Sequence, residues 1–513
     1  MKLLFALSML AAAALGGSTV HNGLPTLPKY PSVLQLSARP WLYELSQSRG
    51  KTIRAFRDIP DDVFTQIKTL GFDMVWMMGV WSVGPYGVKH DRTDAGLVQG
   101  FKSLLPDYTE ADVIGSPYAI TNYTCNPELC PSGDSDLVWL RKRLNNLGIR
   151  LMLDFVPNHS ALDSPWIESN IDYYIRAPQG TSDPARYFTN GVAFGNMQYS
   201  SAWTDVGQLN YWNPALRKHM TEQLIKVASF ADGIRCDMAY IILNDPFQAQ
   251  WSTELNAWGW SRPSDEFWTS AIKAAKAAYP GTVFLAEVYG DYFIPLQQQG
   301  FDFTYDKEML DRLVNGHLDN LRGWISYMTP YQDHVCRFLE NHDDNRAVER
   351  FGSVTRTDAA ALVAYTLPGL RFFFQDQWHG LTKKLDVHLR RSASEAYSDE
   401  AYQFYLKLKN ILSSPVFRDG TWTNLQVSGG DSWRLVAWSW ANKETGEKRL
   451  VVVNYSDVLA GGSVKVSDVS GSGTVKITEL LSGVTYDRNA EEMRSTGLNV
   501  VINQYSGQIF SYY

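Results

Sequence analysis

Cysteine is scarce in this chain. Four residues in 513 cannot build a disulfide scaffold, and none of their spacings is that of a zinc site. Basic runs are missing too, and a net charge of −7 argues against nucleic acid as the main partner. Charged residues make up only 20% of the chain against 45% apolar ones, the balance of a globular protein with a large core. Long hydrophobic runs are confined to the N-terminus. There "MKLLFALSMLAAAALGG" joins a lysine to a short, Ala-dominated apolar stretch and small residues, so residues 1–20 read as a secretory signal peptide. The expectation is a secreted, extracellular protein with no stable membrane insertion once the signal is cleaved.

What the chain has in excess is aromatic rings: 13% of residues, including 17 Trp and 27 Tyr. Beyond filling a core, such side chains stack on flat apolar ligand faces and offer a polar handle. Cys125 and Cys130, in "CNPELC", are close enough to form a small bridge in an oxidising compartment, whereas Cys236 and Cys336 sit in apolar, strand-like segments and read as buried thiols. Sequons stand at Asn122, Asn158 and Asn454.

A Pro-rich stretch within residues 21–37 reads as a linker. Eight β-rich runs follow: "LYEL" near 42, "FDMVWMMGVW" from 72, "IRLMLDFV" from 149, "DGIRCD" from 232, "TVFLAEV" from 282, "FDFTY" from 301, "VCRFLEN" from 335 and "RFFFQD" from 371. Most precede a segment of helical periodicity. In "DSDLVWLRKRLNNLG", Leu137, Leu140, Leu144 and Leu147 share a face and Gly148 supplies the stop; Gly71 punctuates "DDVFTQIKTLG" likewise. This alternation predicts a (β/α)8 TIM barrel over residues 38–415. The long connections 82–133 and 160–212 emerge at its C-terminal rim, the second as an inserted loop subdomain after strand three. From 416 to 513, short alternating runs with Gly, Asn and Asp turns predict a C-terminal antiparallel β-sandwich.

On a barrel, polar residues at strand ends converge: Asp154, Asn158 and His159 after strand three, Arg235 and Asp237 at strand four, Glu287 at strand five, and His342 and Asp343 after strand seven. Arg235 and Asp237, two apart, share a face, so Cys236 points toward the helices. Three acids, Asp237, Glu287 and Asp343, then face one another around an arginine, an unfavourable cluster unless something uses it. Glycoside cleavage does: it needs a carboxylate nucleophile and a second carboxyl that carries a proton, about 5 to 5.5 Å apart in retaining enzymes.

The segments "DFVPNH", "GIRCD", "AEVYG" and "ENHD", in this order, resemble the characteristic regions of the alpha-amylase superfamily, glycoside hydrolase family 13, and "QLNYWNP" (208–214) resembles its short region before strand four. The resemblance implies that Asp237 is the nucleophile, Glu287 the general acid/base, and Asp343 the acid that holds sugar hydroxyls. It implies that His159 and His342 bond the sugar, that Tyr118 in "GSPYAITNY" stacks on it, and that Arg235, oriented by Asp154, keeps Asp237 ionised. It further implies a possible calcium ion at Asn158. The substrate would be an α-linked glucoside.

Departures from the family pattern matter. Tyr240 and Ile241 stand where starch-cleaving members carry a Lys-His pair, which removes leaving-group contacts and one usual contributor to calcium binding. "FFFQDQWHG" brings Gln375, Asp376 and Trp378 to the rim after strand eight, and the insertion after strand three is short. These point to a nonstandard member acting on short α-glucosides or oligosaccharides. A transglycosylase or isomerase of trehalose- or sucrose-like sugars would share the chemistry. Two other classes are a catalytically retired carbohydrate-binding protein and a metal-dependent hydrolase using Asp154, His159, Asp237 and His342. In "RFLENHDDNR", Arg346 either closes the rim or pairs with Asp344.

Overall fold

A computed structural model describes residues 24–196 and 201–513; the signal-peptide stretch, residues 1–20, lies outside them. Eight parallel strands close into a barrel: β1 (Ser32–Ser37), β2 (Met74–Met78), β3 (Arg150–Phe155), β4 (Gly233–Cys236), β5 (Val283–Ala286), β6 (Phe303–Tyr305), β7 (Val335–Arg337) and β8 (Leu370–Phe374). Neighbours in sequence are neighbours in the sheet, and β1 completes the ring by pairing with both β2 (Val33 opposite Met74) and β8 (Ser32 opposite Arg371). Strands covered on both faces read as continuous apolar runs, as the fully buried "MVWMM" of β2 does. The helix Ser135–Asn145 buries Leu137, Leu140 and Leu144, and Gly71 and Gly148 end their helical segments at φ 74°, where a Cβ would be strained.

Seven of the eight expected runs hold a barrel strand. The first does not. "LYEL" lies within the helix Ala38–Arg49, and the true first strand is "SVLQLS", inside the stretch read as linker. Pro40 sits in the first turn, where a missing N–H costs nothing, and Gly50 closes the helix in the left-handed region. The strand was hidden because Gln35 interrupts its apolar pattern, and Gln35 is polar because it faces the barrel interior beside His342.

Among the described residues, both long rim connections carry secondary structure. The one after β2 holds the hairpin Trp81–Val83 with Ile120–Cys125, whose end carries the Cys125–Cys130 disulfide. The insertion after β3 forms a three-stranded sheet of His159–Ala161, Trp203–Gln208 and Phe194–Gly195. Cys236 and Cys336 are free and buried.

After the helix Pro415–Asp419, a six-stranded and a three-stranded antiparallel sheet form the C-terminal sandwich. Alternation along Leu435–Ala441 shows how it is placed. Leu435 and Ala437 join the sandwich core, while Val436, Trp438 and Trp440 join the barrel core. The Trp438 and Trp440 indoles donate to the Thr366 hydroxyl and carbonyl at 3.2 and 2.8 Å. Among the described residues, no helix is long and apolar enough to cross a membrane.

Candidate active site

Arg235, fully buried on β4, is the centre of the rim. Its Nη1 donates to Asp237 Oδ1 at 2.8 Å and to Asp154 Oδ1 at 3.2 Å, and its Nη2 to Glu287 Oε2 at 2.6 Å. Trp76 and Tyr118 present ring faces to the guanidinium at 5.0 and 5.3 Å. Burying one cation among three carboxylates is costly unless every partner is held in good geometry. The supporting bonds supply that: Trp76 Nε1 donates to Asp154 Oδ2 at 2.9 Å, and the Tyr118 hydroxyl accepts from Arg235 at 3.2 Å. Asp154 is thus a buried partner of Arg235, itself anchored by Trp76.

Asp237 and Glu287 are held differently. Asp237 fixes only Oδ1; Oδ2 is buried without a protein donor. Glu287 Oε2 accepts from Arg235 and from the Met238 N–H at 2.8 Å, and Oε1 accepts from the Tyr289 hydroxyl at 2.8 Å. Met238, directly after Asp237, has φ 43°, a strained conformation for a side-chain-bearing residue, and this turn aims its N–H at Glu287.

Electrostatics follow from burial. Desolvation is the largest influence on the Asp237 carboxyl and pushes it up, as do Glu287, Asp154 and Asp343, while Arg235 at 2.8 Å pulls it down. Arg235 thus opposes protonation of Asp237 but does not by itself hold it in the ordinary carboxylate range, which falls short of the expectation that it keeps Asp237 ionised. Asp154 is raised to about 6, again chiefly by burial and against the pull of Arg235. Burial lowers His159 to about 4, and lowers His342 well below its ordinary value with help from Arg235.

His342 links the far side. Gln35 Nε2 lies 2.7 Å from its Nδ1, and the Tyr118 hydroxyl and Asp343 Oδ2 lie 2.8 and 3.1 Å from its Nε2. With Gln35 as donor, the ring proton falls on Nε2, toward Asp343. Tyr118 stacks on the His342 ring at 5.3 Å. Asp343 is the outermost acid, with 48% of its side chain accessible, yet the surrounding walls still raise its carboxyl, against Arg235 and Lys384. His159 is buried on the opposite side, edge-on to Trp203.

All eight residues proposed for catalysis and sugar binding therefore lie at this rim. Four neighbours were not foreseen: Gln35, Trp76, Tyr289 and Lys384, whose Nζ donates to the Asp343 carbonyl at 2.5 Å. The polar residue inside the apolar run "VLQL" is the signal for Gln35. Arg346 closes the rim: it pairs with Glu340 at 2.9 Å and donates to the Gln375 carbonyl at 2.8 Å, leaving Asp344 to Arg350. Gln375 braces the barrel, accepting from the Ser37 N–H and donating to Glu44.

Asn158 does not offer the donor set of a calcium site. Its Oδ1 and carbonyl both accept from the Gln208 side-chain amide, at 2.8 and 3.0 Å, and its Nδ2 donates to Gln208 Oε1 at 3.2 Å. Calcium takes six to eight oxygens at about 2.3–2.6 Å, carboxylates among them. Among the described residues, no group of three or more His, Cys, Asp or Glu is arranged to hold a metal. Of the four residues of the metal-dependent reading, Asp154 and Asp237 each bond Arg235 through one oxygen, His342 lies against Gln35 and His159 against Asn158.

The structure is a closed (β/α)8 barrel whose C-terminal rim gathers three carboxylates, Asp154, Asp237 and Glu287, around one buried arginine. A family model for the alpha amylase catalytic domain matches residues 62–437, and the chain belongs to the alpha-amylase family. Alpha-amylase 3 of Dictyoglomus thermophilum is 25% identical over 288 residues, covering 49% of this chain and 51% of that protein. Maltase 1 of Drosophila virilis is 23% identical over 442 residues, covering 74% and 65%. The chain thus spans about half to two thirds of the length of these two relatives. The maltogenic alpha-amylase AmyB of Thermotoga neapolitana superposes with a TM-score of 0.68 at 18% identity, over 94% of this chain and 99% of that one; this likeness shows the fold.

Proposed function

We propose that the protein is a retaining α-glycoside hydrolase acting on short α-linked glucosides through a glycosyl-Asp237 intermediate. The observation that carries the reading is the asymmetry of Asp237: one oxygen is fixed by Arg235, and the other is buried, free of donors and available for attack. Oδ2 bonds to the anomeric carbon as the glycosidic C–O bond breaks, and Glu287 gives its proton to the departing oxygen. Oε1 is the oxygen suited to carry that proton, since Oε2 is taken by Arg235 and the Met238 N–H. Glu287 then accepts a proton from water, whose oxygen displaces Asp237 from the sugar. A single guanidinium spanning both carboxylates supports the short separation of this double displacement over the roughly 6.5–9.5 Å of an inverting pair. Asp343 and His342 hold sugar hydroxyls on one side and His159 on the other, and Tyr118 stacks on the ring.

The leaving-group side supports small substrates. Tyr240 stacks on Tyr292 at 5.4 Å and meets Tyr289 edge-on at 5.9 Å, so an aromatic wall stands where long-chain enzymes of the family carry Lys-His. The same wall favours a second reading, transfer to a sugar acceptor, because it offers a departing sugar a stacking surface that water does not use. Incubating the enzyme with maltose, with and without a second acceptor sugar, separates the two. Free glucose throughout supports hydrolysis, and new disaccharides with little glucose support transfer. Asp237→Asn and Glu287→Gln test the site itself. Unchanged turnover of an activated α-glucoside in either variant would overturn the assignment. The Cys125–Cys130 bridge supports export of the protein, as the leader implies.

A further inference from the structure

Gln208 is fully buried at the end of the strand Trp203–Gln208, in register with His159. Its side-chain nitrogen faces three oxygens at once: Asn158 Oδ1 at 2.8 Å, the Asn158 carbonyl at 3.0 Å and the Leu209 carbonyl at 3.2 Å. An amide NH2 has two hydrogens, so one is shared. The other end of the same amide accepts from Asn158 Nδ2 at 3.2 Å and from the Asn196 N–H at 3.4 Å. The Leu209 N–H adds a backbone bond to the Asn158 carbonyl at 3.0 Å. The end of β3 and the close of the insertion are thereby fastened around one side chain. Three carbonyl-type oxygens converging on a single point is how a protein receives a hard cation, but the spacing is that of N–H···O bonds.

We propose that the Gln208 amide takes the place a calcium ion would occupy at Asn158. It fastens the insertion to the barrel rim, so the fold needs no calcium there. The consequence reaches the active site, because Asn158 Nδ2 lies 3.3 Å from His159 Nδ1, and the clamp sets where that histidine stands.

The test is thermal melting of the whole chain in EDTA and in added CaCl2, on the wild type and on Gln208→Glu. Wild-type curves coincide in the two buffers. The variant points a carboxylate at three oxygens; it melts lower in EDTA, and Ca2+ raises its Tm in a saturable way. A wild-type Tm that falls in EDTA and recovers with Ca2+ would overturn the proposal, as would a variant whose Tm ignores Ca2+. Should the variant fail to fold, calorimetric titration of the wild type with Ca2+ decides. No heat of binding supports the amide clamp, and a stoichiometric site contradicts it.

Discussion

Arg235 donates to one oxygen of Asp237 at 2.8 Å and leaves the other buried without a donor. A fully paired carboxylate would be better stabilised and less nucleophilic. The unpaired oxygen is a local cost, and at this rim it leaves one carboxylate oxygen free to attack. Because the same guanidinium holds Asp154 and Glu287, its planar fork matters as much as its charge.

Arg235→Lys should therefore keep a folded protein with a cation in place yet lose on the order of 100-fold or more in kcat, since an ammonium cannot span Asp237 and Glu287 together. Arg235→Ala should go further and fail to accumulate as folded protein, because three buried acids lose the cation they share. Comparing kcat and melting temperature for the two variants separates geometry from charge.

Tyr289→Phe removes the hydroxyl that donates to Glu287 Oε1. The loss should be about tenfold in kcat on maltose, whose leaving oxygen needs a proton, and within about twofold on an aryl glucoside with an acidic phenol, which needs little. Equal losses on both substrates would make Tyr289 a packing residue only.

Gln35→Met keeps the volume but leaves His342 Nδ1 without its 2.7 Å partner inside the barrel. The expected destabilisation is about 1–3 kcal/mol by denaturant unfolding, with KM raised as His342 loses its fixed orientation. A variant as stable as the wild type would show that the contact contributes nothing.

The buried His159 contributes to the acid limb of stability. His159 titrates at about 4 when folded, against an ordinary value of 6.5, so below 6.5 the unfolded chain binds the proton first. Its contribution is complete above pH 6.5 and is lost as the pH falls toward 4. Asp154, raised to about 6, acts oppositely, disfavouring the folded state as the pH rises through that window. His159→Gln should remove about 2 kcal/mol of the stability loss between pH 6.5 and about pH 5. Unfolding titrations at the two pH values would show it as a flatter profile, and an unchanged slope would contradict the assignment.

Much of this was legible in the sequence because strand ends on a barrel are forced to converge. Asp237, Glu287 and Asp343 needed only their places in "GIRCD", "AEVYG" and "ENHD". The first strand was not legible for the same reason that it matters: Gln35 breaks the apolar run of "SVLQLS" to reach His342. Tyr289 and the Gln208 clamp were out of reach because they depend on side-chain direction rather than residue type. The left-handed turn at Met238, which ties Asp237 to Glu287, leaves no mark in composition, since nothing about Met announces a positive φ.

The most direct test of the account is to incubate Glu287→Gln with α-glucosyl fluoride, a substrate whose leaving group needs no proton, and to map the quenched protein by peptide mass spectrometry. The account predicts one added glucosyl group on the peptide that carries Asp237, with the ester on that side chain and none in Asp237→Asn. Turnover without an adduct, or an adduct on any other carboxylate, would contradict it.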